Sequence, residues 1–201
     1  LGLATSFTGM DLLTTVLRGG NFDGEANVFG SGGPSGLAAL ETGFQEGDRP
    51  NLVAIDKLFY SFPVGDAITI TTGPIVGQED MLAIWPSVYP SDPILDVLTV
   101  NGAPGAYNKN KGAGVGISWA AESGARASAN YVAANGASSD TRSGGFATDE
   151  AGGTGTLQLG WEGDNWGVAA LYSKVQNGQD LIVYATPFVK DRFSDRGVTH
   201  A

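Results

Sequence analysis

The sequence predicts an all-β chain: an antiparallel, up-and-down β-barrel of the transmembrane kind, with about eight strands in 201 residues. Three observations carry that expectation. Segments of about 7–12 residues alternate apolar with small or polar side chains and end in Gly, Asp, Asn or Pro. The connections between them are short and long in strict turn. Large aromatic side chains gather beside the short ones.

The strands are expected at Leu1–Phe7, Leu12–Arg18, Leu52–Pro63, Ala67–Ile75, Gly112–Ala121, Ala127–Ala134, Thr154–Glu162 and Asn165–Val175. Tight turns join the first to the second (Thr8-Gly9-Met10-Asp11), the third to the fourth (Val64-Gly65-Asp66), the fifth to the sixth (Glu122–Arg126) and the seventh to the eighth (around Gly163-Asp164). Long loops fill 19–51, 76–111 and 135–153. The strands and loops occupy 1–176, and 177–201 reads as a loop or a disordered C-terminal segment. In an up-and-down sheet this places every short turn on one edge and every long loop on the other. Greek-key sandwiches mix loop lengths at both ends, whereas outer-membrane barrels separate them.

Composition agrees. Charged residues make up 16% of the chain, against roughly 25% in an average globular protein, and Gly is abundant at 31 residues. No run reaches the roughly 18 apolar residues of a spanning helix, which leaves a barrel open because its hydropathy signal is weak per strand. There are no cysteines, so disulfides, zinc–thiolate sites and cysteine nucleophiles are absent. A formal net charge of -10 argues against nucleic acid as a partner, since phosphate binding needs a basic face. The chain begins at Leu1 with neither an initiating Met nor a signal peptide, and is read as processed or partial.

The faces of the strands fix which side meets what. Ala113, Val115, Ile117 and Trp119 point one way, and Gly114, Gly116 and Ser118 the other. Leu157, Leu159 and Trp161 alternate with Thr156, Gln158 and Gly160 in the same fashion. Small and polar inside, apolar outside, is the reverse of a soluble barrel. Phe7, Phe62, Trp119, Trp161 and Trp166 all lie within about three residues of a short turn, where a membrane barrel carries an aromatic girdle. With Leu13, Thr15 and Leu17 toward lipid, Arg18 faces the lumen; with Leu58, Tyr60 and Phe62 toward lipid, Lys57 and Ser61 do. A charge on the lipid face at midplane costs about 2–4 kcal/mol, which favours this assignment. Asp56 is the exception: simple alternation turns it outward, tolerable only near the extracellular rim.

Catalytic chemistry finds little support. His200 is the only histidine and sits in a polar C-terminal segment that holds no fixed geometry. The glycine spacings at 33–36 and 152–163 lack the strand–turn–helix setting of a nucleophile elbow or a phosphate loop. Glu79-Asp80, and Asp140 with Asp149-Glu150, lack the spacing of a known Ca²⁺ loop and read as solvated faces. No enzyme activity, cofactor or metal is expected.

Two stretches are distinctive. "TSFTGMDLLTTVLRGGNF" at 5–22 and "IDKLFYSFPVGDAITITTG" at 55–73 resemble segments of the cyanobacterial outer-membrane porins, a group related to carbohydrate-selective porins and often described as iron-uptake porins. "GAGVGISW" at 112–119 is similar to a strand of that family. The resemblance implies a passive outer-membrane channel with more strands than eight, commonly trimeric, and tethered to peptidoglycan by an N-terminal domain that this chain does not contain. The family forms carry basic residues where this chain has Met10, Thr14, Val16, Ser61 and Ala67, which lowers the expected preference for anions.

The loop 76–111 then reads, by analogy with porins, as the element that narrows the pore, the alternative being a lid over the rim with no pore contact. It is long for a structureless loop and holds "MLAIWPSVYPSDPILDVL", an apolar, Pro-rich run suited to the barrel mouth or to a neighbouring subunit. Its carboxylates Glu79, Asp80, Asp92 and Asp96 would set the field at the constriction, and Arg18, Lys57, Ser61 and Gln158 would line the pore. The expected function is diffusion of ions and small hydrophilic solutes through the outer membrane, in contact with its lipid. The alternative is a secreted soluble β-sandwich that binds carbohydrate or calcium through its long loops.

Overall fold

A computed structural model describes residues 1–23, 40–41, 43–46, 49–87, 89–91, 94–177 and 198–200. The described residues form one antiparallel sheet in the order β1 to β9, each strand paired with its sequence neighbour. The strands are β1 Gly2–Thr5, β2 Leu12–Gly20, β3 Leu52–Val64, β4 Ile68–Gly77, β5 Lys111–Ala120, β6 Ala125–Ala133, β7 Gly153–Glu162, β8 Gly167–Gln176 and the short β9 Val198–His200. Two 3₁₀ turns, Glu79–Met81 and Asp96–Val100, lie in the β4–β5 connection. No α-helix occurs among the described residues, so none is long and apolar enough to cross a membrane.

All eight expected strands are present, with ends shifted by at most two residues. The ninth was not expected. Residues 198–200, read from the sequence as part of a loop or disordered tail, pair with Lys174–Gln176. Residues 178–197 lie outside the described residues, as does most of the loop 19–51. β1 and β9 do not pair with each other, so among the described residues the sheet is open.

Alternation survives in the burial. Leu159 is 68% exposed, Val168 58% and Trp166 59%, and the row Val115, Ile117 and Trp119 is also exposed. The opposite face buries Thr71, Ser128, Asn130, Thr154, Thr156, Gln158 and Ser173. The packed apolar cluster is small, Val76, Met81 and Val132 with Phe59 against them, and Ile84, Val100, Tyr107 and Val175 are buried besides. The sheet is therefore inside out relative to a soluble sandwich, with its larger apolar face uncovered.

Two bulges interrupt the pleat. β4 carries one extra residue against both neighbours between Gly73 and Val76. Pro74 sits there because it has no N–H to give to the ladder. Gly73 is required beside it, since a Cβ would stand 2.4 Å from the carbonyl oxygen of Leu58. In β3, Asp56 is the extra residue, because Val16 pairs with Lys57 and Leu17 with Ile55. The bulge switches parity, so Val53 and Ile55 stay exposed on one side of it while Lys57 turns to the buried face on the other. Asp56 therefore escapes the outward position that simple alternation gave it. Its carboxylate is 10% exposed, lying 3.3 Å from Nη2 of Arg18 and bonded by Nζ of Lys111.

Candidate functional site

The β4–β5 loop, residues 78–110, lies on the buried face of the sheet, and the polar side chains of that face hold it there. A loop away from water must satisfy its own N–H and C=O groups. At its neck, the Gln78 amide N–H donates to the Asn110 carbonyl at 2.9 Å. The Gln78 side-chain Nε2 donates to the Ala106 carbonyl at 2.8 Å and to Thr156 Oγ1 at 2.7 Å, while its Oε1 accepts the Lys109 N–H at 3.2 Å. Asn110 Nδ2 reaches the Val132 carbonyl at 3.2 Å and Thr154 Oγ1 at 3.1 Å. Further along, Ala83 N–H donates to Ser128 Oγ at 3.1 Å. Gln158, 1% exposed, grips Ile84 from both sides: Ile84 N–H donates to Oε1 at 3.1 Å and Nε2 donates to the Ile84 carbonyl at 2.8 Å.

Glycines on the same face make room for the loop. A Cβ at Gly116 would stand 2.8 Å from Met81 Cβ, and one at Gly160 2.9 Å from Ile84 Cγ2; one at Gly114 would stand 2.6 Å from Val76 Cγ1 of β4, just before the loop. The small inner stripe is therefore, over β5 to β7, the bed of this loop.

One ion cluster anchors its start. Lys57 Nζ lies 2.9 Å from Glu79 Oε1 and 2.8 Å from Asp80 Oδ1, and the Gly77 N–H donates to Asp80 Oδ2 at 2.9 Å. The Glu79 side chain is 5% exposed. Burial, and then the negative Glu79 beside it, hold the Asp80 carboxyl above its usual value, against the pull of Lys57. Glu79 and Asp80, the two carboxylates expected to set the field at a constriction, share one lysine. Asp96 opens the second 3₁₀ turn, and Asp92 lies outside the described residues.

The other expected lining residues are also placed. Arg18 bonds Glu46 through Nε, approaches Asp56, and stacks its guanidinium 4.5 Å over the Phe44 ring. Ser61 Oγ lies 2.8 Å from Thr71 Oγ1. Arg18, Lys57 and Ser61 fall on the same face of β2 and β3. Gln158 shares the buried side but is covered by the loop and lines no open space. The aromatic set falls along the short-turn edge: Phe7 in the first turn, Phe62 and Trp119 near the ends of β3 and β5, and Trp161 and Trp166 flanking the last turn. Phe62 is half-buried and stacked on Tyr60 at 5.6 Å; the others are exposed.

Sequence reading missed Gln78 and Asn110, the clasps of the loop's neck, and Asp11, the clasp of the first turn. Asp11 Oδ1 accepts Ser6 Oγ at 2.8 Å, Thr8 N–H at 2.7 Å and Thr8 Oγ1 at 2.6 Å, while Tyr60 Oη donates to Oδ2. The Thr8 hydroxyl, and then Tyr60, hold this carboxyl far below its ordinary range. The Ser6–Thr8–Asp11 spacing was the available signal, since such side chains bond nearby backbone in turns.

Known proteins add little. No protein-family profile matches the sequence, and no solved structure does. An uncharacterised protein of Nostoc sp. (strain PCC 7120) is 51% identical over 71 residues, a match that takes in 33% of this chain and 12% of that protein.

Proposed function

We propose that this chain is part of an outer-membrane porin, a β-barrel that passes ions and small hydrophilic solutes by passive diffusion. The observation that carries the reading is the inverted sheet: large apolar side chains exposed along β3, β5, β7 and β8, polar and glycine positions buried beneath a loop. Water would penalise that outer face, at about 25 cal/mol for each Å² of apolar surface, and a bilayer would not. The exposed aromatic residues at the short-turn edge suit the inner membrane–water interface, where such rings are enriched.

Barrels of eight strands fill their interior with side chains. An open channel therefore needs strands beyond those described, pairing with the free edges of β1 and β9, as the resemblance to porins with larger barrels implies. In that barrel the loop 78–110 lies against the lumen wall and narrows the passage. Arg18, Lys57, Lys111, Asp56, Glu79 and Asp80 form its charged lining on the β2–β5 side, paired closely enough to leave only a weak preference for cations. The resemblance extends the proposal to a homotrimer anchored to peptidoglycan, without catalysis or energy input.

Electrophoresis in SDS with and without heating tests the reading. A faster-migrating, detergent-extracted species that shifts on boiling is expected. A protein that is monodisperse in buffer without detergent, and whose mobility heat does not change, would overturn it in favour of a secreted β-sandwich.

A further inference from the structure

We propose that the outer face of the sheet holds one acyl chain of a lipid with an anionic headgroup, the headgroup bound at Lys174; this rests on the outer-membrane reading above. The face is not uniform. A trough of ≈ 520 Å³ crosses β5 to β8, within the span of roughly 300–1,000 Å³ typical of small-molecule sites. Its floor is Ala129 and Gly155, the small residues of β6 and β7, and its walls are Val115 and Ile117 on one side and Leu157 and Tyr172 on the other.

Lys174 stands at the loop end of this trough, paired in register with Gly155. Its side chain is exposed, and no hydrogen bond or ion pair holds that side chain among the described residues, although β9 brings His200 into register with Lys174 on the other side. The outward row of β5 to β8 between Ala113 and the turns carries no Asp or Glu. An ammonium on such a face is costly unless it reaches the headgroups or meets an anion.

Its height fits the first of these and invites the second. Gly155 is six residues along β7 from Trp161, which is about 20 Å along the strand and about 15 Å along the membrane normal at a tilt of about 40°. The flexible stem of Lys174 carries the charge further outward, toward the level where the apolar band of about 25 Å ends. A lipid chain lying in the trough would run from that level into the bilayer, with its headgroup against Lys174. A second copy packed through the same face would bring no carboxylate to this lysine.

The test uses the whole chain in nonionic detergent, mixed with phosphatidylglycerol or phosphatidylcholine of identical chains, with bound lipid counted by native mass spectrometry. One phosphatidylglycerol should be retained, preferred about fivefold, the worth of one Lys at an anionic surface. Lys174→Gln should bring the preference to about one while leaving a chain bound. Gly155→Leu should empty the trough of both lipids. A Cβ at Gly155 meets only Tyr131 Cδ2, at 3.9 Å, and an unchanged heat-shifted band would verify that the variant folds. Equal retention of the two lipids, a preference unmoved by Lys174→Gln, or an oligomer that Gly155→Leu disperses without loss of lipid would overturn the proposal. A protein that requires detergent but keeps no phosphatidylglycerol removes this proposal alone; one that never requires detergent removes the porin reading as well.

Discussion

Replacing Gln158 with Leu should unseat the loop 78–110 and leave the sheet standing. The two side chains are close in size, so the change removes hydrogen bonds rather than volume. The Ile84 N–H and carbonyl, bonded to Gln158 at 3.1 Å and 2.8 Å, both lose their partners in a buried position. Each stranded group costs about 1–3 kcal/mol, so the seated state loses about 2–6 kcal/mol against the lifted one, in which water replaces the missing bonds. At about 1.4 kcal/mol per decade, amide exchange at Ala83 and Ile84 should accelerate at least about thirtyfold. Hydrogen–deuterium exchange of the detergent-purified protein, read on peptides covering 80–90 and covering β5 and β6, measures both. Two results would refute the reasoning: unchanged protection at Ala83 and Ile84, or an equal loss of protection in the neighbouring strands, which would make Gln158 a general stabiliser and not a clasp.

Gly116→Leu attacks the same seat sterically. With Met81 Cβ 2.8 Å from the first added carbon, overpacking of about 1–3 kcal/mol is expected, seen as faster exchange over 79–86 and, in the porin reading, as a changed single-channel conductance. Lys57→Met leaves Glu79 and Asp80 buried without their cation, a loss of up to about 3–5 kcal/mol. Asp80 already titrates above the ordinary 3.8, so lowering the pH neutralises it and should reseat the loop; proteolysis within the loop should be fast at pH 7 and slow near pH 4. Asp11 has the opposite sign. Its folded value lies below the ordinary 3.8, so its stabilisation is present above that pH and lost as the pH falls through the folded value. Urea midpoints of the parent should exceed those of Asp11→Asn at neutral pH, and the gap should narrow from about pH 4 downward.

The strands were legible because alternation is a local property. Val115-Gly116-Ile117-Ser118-Trp119 states its two faces whatever covers them, and Gly-, Asp- and Asn-rich turns mark where each strand ends. The bulge at Asp56 was not legible, since nothing in "AIDKLF" distinguishes an extra residue from a continued pleat; pairing with Val16 and Leu17 reveals it. The loop's seat was half legible. Its length and its apolar run pointed inward, but Thr156, Gln158 and Ser173 would look the same facing water as facing backbone. Gln78 and Asn110 are ordinary loop residues until the fold brings Thr156 and Thr154 to them. The carboxylates Glu79 and Asp80 were recognised, and their partner Lys57 was recognised separately, yet only the loop's path joins them.

The most direct test of the channel is conductance across a planar lipid bilayer, using the native protein extracted in detergent and a salt gradient between the two sides. Stepwise openings that persist, with a reversal potential displaced slightly toward cation selectivity, are the expected result. A protein that stays soluble without detergent and leaves the bilayer silent would contradict the account.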